Sequence, residues 1–203
     1  MVTRDRFSAV LLAMGLILAF LPSPEGKIFT ARPGSFLRES MKEESFHSAD
    51  EVAGFMVRED STVQLIDVRT PEEYRECNIP GSVNIPLSRI AEKEWEGYLG
   101  RENITNIFYS NGDSRSNYAW VIATGIGYEN CSVMTGGLND WFKTIMNTKF
   151  TGKTISPREN RLFETRTRAK NLFVSINSLP DSLKAKFMEA KKIATRKLDG
   201  GCE

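Results

Sequence analysis

The sequence predicts an α/β domain in which helices cover both faces of a mostly parallel sheet. Short apolar runs alternate along the chain with longer segments of helical periodicity. Typical helix-start residues stand directly before several of the longer segments. Strands that are apolar throughout belong in sheets buried on both faces, and strands that alternate with helices indicate parallel pairing.

Four strands and a first set of helices follow from these patterns. Ser48 and Glu51 have the spacing of a capping box, which predicts a helix behind them. Its apolar face carries Val52, Phe55 and Met56. The Thr-Pro-Glu-Glu stretch at 70–73 predicts a second helix start, and a third helix is expected over 90–99. The strands are predicted at 63–68, 82–85, 104–109 and 131–134.

The second half of the chain is richer in helix. A helix is predicted from Arg115 to about Ile126, with Tyr118, Val121 and Ile122 on its inner side. Gly136-Gly137 opens another helix, and its apolar positions are Leu138, Trp141, Phe142 and Ile145. Beyond Lys149 the alternation stops: residues 157–175 form a plausible helix, and a basic amphipathic helix is expected after Ser178.

Length and charge limit the possible functions. The chain has 203 residues and a net charge of +1, so no global positive field favours nucleic acid. The charge is unevenly divided, because residues 153–203 carry twelve Lys/Arg against six Asp/Glu. The three cysteines form no CxxC pair and His47 is the single histidine, so neither a metal site nor a cofactor is expected.

The N-terminus has the parts of an export signal. Arg4 and Arg6 precede an uncharged apolar run at residues 7–21, which ends at Pro22. The run is short for a membrane span, which needs roughly 20 apolar residues. We therefore expect a cleaved signal or a membrane anchor that places the body outside the cytoplasm, in a bacterial periplasm. A buried core helix is the alternative interpretation.

These features divide the chain into four parts. Residues 1–22 are the signal or anchor, 23–45 a linker, 46–148 the α/β domain, and 149–203 a basic helical extension. Cys202 follows two glycines at the end of the extension, where an exposed and mobile thiol is expected. It is either a frayed tail or a reactive thiol that carries sulfur or binds a partner.

Three motifs in the domain resemble the signatures of rhodanese-like domains. The first is Leu-Ile-Asp-Val-Arg-Thr-Pro-Glu-Glu-Tyr at 65–74, and the second is Asn-Ile-Pro-Gly-Ser-Val-Asn-Ile-Pro at 78–86. The third is Gly-Gly-Leu-Asn-Asp-Trp at 136–141. The resemblance implies a five-stranded, mostly parallel α/β fold with an active loop at the carboxyl end of a strand. It also implies that Asp67 and Arg69 are scaffold residues at a strand end.

The same resemblance implies a Cys-x-x-Gly-x-Arg-Ser loop for sulfurtransferase activity. Here Ser110 takes the cysteine position and Asp113 the glycine position, while the arginine and serine are kept. Members of the family often carry a histidine where this chain has Asn78. The candidate anion-binding residues of the loop are Ser110, Asn111, Gly112, Asp113, Ser114, Arg115 and Ser116.

The serine decides which chemistry we expect. A hydroxyl forms no persulfide, and a serine nucleophile needs a nearby base, for which only His47 is available. No catalytic residue is therefore assigned. The loop could still hold a small sulfur-containing anion through backbone N–H groups and Arg115, although Asp113 would repel it. In the alternative interpretation Ser110 and Asp113 simply cap the following helix.

Three functions remain open at this point. The leading hypothesis is a binding or regulatory module that lacks sulfurtransferase activity at its loop and acts on a protein partner or a small anion. The second is a sulfurtransferase or thiol-redox protein that uses another cysteine, such as Cys202. The third is a purely structural periplasmic partner.

Overall fold

The computed structural model describes residues 45–128, 130–150 and 156–180, together with positions 12–14, 16, 182–184 and 186. Apart from those few positions, the predicted export segment at 7–21, the linker and the basic helix after Ser178 lie outside the described residues. Cys202 lies outside them as well. No helix among the described residues is long and apolar enough to cross a membrane.

A five-stranded parallel sheet forms the centre of the domain. Its spatial order is β1-β5-β4-β2-β3, and every neighbouring pair is parallel. The strands are β1 (Phe46–His47), β2 (Val63–Asp67), β3 (Val83–Asn84), β4 (Thr105–Tyr109) and β5 (Cys131–Met134). The predicted fold class and four predicted strands are confirmed. β1 has only two residues, too few to produce a recognisable period in the sequence.

Six α-helices connect and cover the strands in the described ranges from residue 45 to 180. They are α1 (Ala49–Arg58), α2 (Pro71–Glu76), α3 (Glu96–Leu99), α4 (Asp113–Gly125), α5 (Gly137–Trp141) and α6 (Pro157–Asn177). A π-helical turn over Phe142–Met146 continues α5. α1, α2 and α6 each begin with a complete capping box, so both capping signals noted before α1 and α2 act as predicted.

The helix predicted over residues 90–99 is wrong. This segment forms 3₁₀ turns at Leu87–Arg89 and Lys93–Trp95, followed by the single turn of α3. Ile90 and Leu99 are fully buried at its ends, whereas the residues between them are mostly exposed. Trp95 and Tyr98 also pack against the core, but the polar residues and Gly97 around them leave no continuous apolar stripe to hold a regular helix against the sheet.

The predicted inner face of α4 also needs correction. Tyr118 is 64% exposed, and the buried positions are Ser116, Ala119, Trp120 and Ala123. Val121 and Ile122 are only partly buried. Ser116, Ala119 and Ala123 let the helix approach the sheet closely, and Trp120 is the large side chain of α4 that packs into this core.

Each face of the sheet carries its own hydrophobic core. On one face Leu65, Ile107 and Tyr109 pack with residues of α1, α5 and α6. On the other face Ile66 and Phe108 pack with α4 and the 87–99 segment. Alternate residues of one strand therefore serve opposite cores, which explains why neighbouring strand positions such as Leu65 and Ile66 are both apolar and buried.

Helix α6 packs into the first of these cores. Ala169 is fully buried, and Phe173 is 4% exposed. The ring centroid of Phe173 lies 6.1 Å from that of Trp141 and 5.6 Å from that of Phe142. The guanidinium of Arg166 on α6 donates to both carboxylate oxygens of Asp50 on α1, at 2.7 and 2.6 Å. This helix is thus packed onto the domain by apolar and polar contacts together.

Replacing Phe173 with alanine should therefore lower the free energy of unfolding by about 3 kcal/mol, because the change leaves a cavity beside Trp141. Urea denaturation of the full chain measures it. Leu172→Ala is the matched control, since Leu172 directly precedes Phe173 and is 41% exposed. It should change stability by less than about 0.5 kcal/mol. Equal effects of the two variants would contradict the packing of α6.

Candidate functional site

The seven candidate residues lie where β4 ends and α4 begins: residues 110–112 form the connection, and residues 113–116 form the first turn of the helix. We call residues 110–116 the site loop. β4 ends at Tyr109, and α4 begins at Asp113, so only three residues separate strand from helix. The loop lies at the carboxyl edge of the sheet, where ligands of parallel α/β folds commonly bind.

Ser110 points into the protein and is 2% exposed. Its hydroxyl donates to the carbonyl oxygen of Gly112 at 2.5 Å, and its own carbonyl accepts from the N–H of Leu138 at 2.9 Å. Within the described ranges, no basic side chain accepts a hydrogen bond from the hydroxyl. The arrangement gives Ser110 none of the activation that a serine nucleophile needs.

The interpretation that Ser110 and Asp113 cap the helix is wrong. The N-cap of α4 is Gly112, with no side-chain capping bond. The Asp113 carboxylate instead accepts from the N–H of Gly136, at 2.5 Å. The Ser116 hydroxyl donates back to the carbonyls of Gly112 and Asp113. Asp113 is an ordinary helical residue, so it can stand in the glycine position without backbone strain.

Gly137 explains why a Gly-Gly pair lies behind the loop. Its φ angle is +54°, and a Cβ atom built on it would lie 2.3 Å from the carbonyl oxygen of Ser110. Any side chain there would push the loop away. The N–H of Asn139 also donates to the carbonyl of Asn111 at 3.0 Å, so the turn holds the loop through the backbone.

Arg69 joins the site loop to the end of β2. Its Nε and Nη2 donate to the two carboxylate oxygens of Asp67, with a shortest distance of 2.6 Å. Nη2 also donates to the carbonyl of Cys77 at 2.7 Å, and Nη1 to Oδ1 of Asn111 at 3.2 Å. Burial alone would lower the pKa of Arg69, but the hydrogen bonds and charge of Asp67 outweigh it and raise the pKa.

Asp67 and Arg69 are therefore scaffold residues, as the resemblance implies. Oδ1 of Asp67 also accepts from the backbone N–H of Arg69, and the Asn84 amide donates to the carbonyls of both residues. Because both charges are buried, the pair depends on these additional hydrogen bonds. In addition, Arg69 positions the side chain of Asn111, a contact that the sequence does not reveal.

Glu73 binds two side chains of the site loop. Its carboxylate accepts from Nδ2 of Asn111 at 2.8 Å and from Nη1 of Arg115 at 3.0 Å. The N–H of Thr70 donates to the same carboxylate and contributes most to lowering the pKa of Glu73, with burial opposing it. Asn111 and Arg115 lower that pKa further. Asn111 and Arg115, the side chains that could bind an external anion, thus already bind the carboxylate of Glu73.

The charges around the loop do not favour an external anion. Arg69 is paired with Asp67 and Arg115 with Glu73, which leaves the carboxylate of Asp113 in excess. The first N–H groups of α4 and its dipole still favour negative charge. In the described part of the chain, no group of three or more His, Cys, Asp and Glu residues could hold a metal ion.

The structure thus brings six of the seven loop candidates into one network of contacts. Ser114 is exposed beside it, and Cys202 lies outside the described residues. Sequence reasoning missed Glu73 and Gly137 as partners of the loop. Both residues stand in the motifs described above. In the sequence, however, Glu73 is 38 residues from its partner Asn111, and Gly137 is about 27 residues from Ser110.

The comparisons with known proteins agree with this architecture. Residues 48–144 match the family model described as a rhodanese-like domain. The chain is 30% identical over 105 residues to the thiosulfate:glutathione sulfurtransferase of Saccharomyces cerevisiae, covering 47% of this chain and 76% of that protein. The chain belongs to the rhodanese-like family.

Two further relatives have similar identities. The thiosulfate sulfurtransferase PspE of Escherichia coli is 32% identical over 75 residues, covering 37% of this chain and 70% of that protein. A solved structure of an uncharacterized Saccharomyces cerevisiae protein is 29% identical, with a TM-score of 0.44, and the match covers 50% of this chain and 93% of that one.

Replacing Glu73 with glutamine should strengthen the binding of thiosulfate to the loop about three- to tenfold, because a competing charge is removed. Glutamine can still complete the capping box of α2. Titration at constant ionic strength, followed by backbone NMR shifts of residues 110–116, measures the effect. Glu72→Gln is the matched control, since Glu72 is exposed and, among the described residues, its ion pair is with Arg75. Equal affinities in the two variants would contradict the competition.

Proposed function

We propose that this chain is a rhodanese-like binding or regulatory module that performs no sulfurtransferase chemistry at its site loop. The observation that carries the proposal is Ser110. By the family resemblance this residue takes the place of the sulfur-accepting cysteine. Its buried hydroxyl donates to the carbonyl of Gly112.

The chemistry of sulfur transfer explains why this residue matters. In the transfer from thiosulfate, a thiolate attacks the outer sulfur, sulfite leaves, and the thiolate keeps that sulfur as a persulfide. A second thiol or cyanide then removes it. A serine hydroxyl remains protonated near neutral pH and forms no persulfide, so the first step has no acceptor at this position.

Other cysteines provide the alternative function, which the named activities of the two sulfurtransferase relatives favour. Cys131 is buried in the core, and Cys77 is half-buried with its carbonyl bound to Arg69. Among the cysteines, we propose Cys202 as the thiol that such a sulfur carrier or thiol-redox protein would use. This alternative has a separate outcome in the test below.

The hydrogen bonds within the site loop and to its neighbours support a binding role over a catalytic one. The polar side chains of Asn111, Arg115 and Asp113 all have partners within the protein. A loop held in this way presents a fixed surface at the carboxyl edge of the sheet. We propose a protein partner or a small sulfur-containing anion as its ligand.

A thiosulfate:cyanide sulfurtransferase assay on the purified chain tests the proposal. The unmodified protein should show no turnover above background, whereas Ser110→Cys should gain measurable turnover because it supplies the missing thiol. Turnover of the unmodified protein that persists in a Cys202→Ala variant would refute the proposal. Turnover that disappears in Cys202→Ala would instead support the thiol alternative.

Export is a separate part of the proposal and rests on residues 4–24 of the sequence. We expect the chain to be found outside the cytoplasm, either cleaved near Pro22 or anchored through residues 7–21. Cell fractionation with N-terminal sequencing distinguishes the two forms. Recovery of uncleaved protein from the cytoplasmic fraction alone would contradict export.

A further inference from the structure

One side chain of α6, that of Asn177, contacts a segment beside the site loop. α6 lies beyond residues 48–144, which match the family model. Asn177, its last residue, accepts from the backbone N–H of Asn78 through Oδ1 at 3.0 Å. The Nδ2 of the same amide donates to the carbonyl of Asn78 at 2.9 Å. One side chain therefore satisfies both backbone groups of a buried residue.

The peptide segment that Asn177 holds is a junction beside the site loop. The carbonyl of Cys77 accepts from Arg69, and the N–H of Ile79 donates to the hydroxyl of Tyr109 at 3.1 Å. Tyr109 is the residue directly before Ser110. Three consecutive residues, 77–79, thus contact α6 on one side and two supports of the loop on the other.

Arg69 carries the connection into the loop. The same guanidinium that donates to Cys77 also donates to Oδ1 of Asn111, and Nδ2 of Asn111 donates to Glu73. A shift of the Cys77 carbonyl would change the position that is most favourable for the guanidinium. The orientation of the Asn111 amide would change with it.

We propose that α6 is a positioning element of the site, and that Asn177 couples the docking of this helix to the side-chain arrangement of the site loop. A partner that pulled α6 away from the domain would thereby alter the loop without contacting it. The inference does not depend on whether Ser110 is catalytically silent. It requires only that the bonds through residues 77–79 and Arg69 determine the orientation of Asn111.

The test compares Asn177→Ala with Asn171→Ala in the isotope-labelled full chain. Asn171 lies on the same helix and is exposed, so its replacement removes no contact with the domain. In Asn177→Ala, hydrogen exchange at the amides of Asn78 and Ile79 should accelerate about tenfold, because two hydrogen bonds are lost. The NMR resonances of the Asn111 side-chain amide should shift as well. Asn171→Ala should leave both readouts unchanged.

A general loss of stability is separated from coupling by the choice of readout. Chemical shifts report the folded population alone, so they do not follow the global stability that urea denaturation measures. If Asn177→Ala changes only residues 78 and 79 while the Asn111 resonances stay in place, Asn177 is merely an anchor and the coupling is refuted. Equal shifts of Asn111 in both variants would also overturn it.

Discussion

The buried guanidinium of Arg69 is the contact on which the geometry of the site depends. It binds Asp67 at the end of β2, the carbonyl of Cys77 after α2, and Asn111 in the site loop. Three separate chain segments thus meet at one planar group whose donors have fixed directions. An unpaired charge in this place would be costly, so the segments are held together as a unit.

The site loop keeps its geometry through contacts that do not involve the side chain of Ser110. The loop is fixed by the carbonyls of Ser110 and Asn111, which the turn after β5 binds, and by the close approach of Gly137. None of these contacts uses the side chain at position 110. The side chain at position 110 can therefore vary in size and chemistry while the strand, loop and helix keep their places.

The sequence predicted the fold well because local signals coincide with it. Capping boxes at Ser48 and Thr70 mark true helix starts, and short, largely apolar runs mark β2, β4 and β5. The prediction for the 90–99 segment failed because polar residues and Gly97 interrupt its apolar positions. Within the site, the sequence indicated residues 110–116 as candidates, but it did not indicate their contacts with Glu73 and Gly137. Those contacts arise from tertiary packing between distant segments, which no local pattern encodes.

Mass spectrometry of the protein after incubation with thiosulfate tests most directly whether this domain lacks sulfur chemistry. The account predicts that no peptide between residues 45 and 180 gains the mass of a sulfur atom, since Ser110 cannot hold one and Cys131 is buried, and the half-buried Cys77 is the thiol on which the result depends. Ser110→Cys provides the positive control. Sulfur on the peptide that contains Ser110 or Cys77 in the unmodified protein would contradict the account.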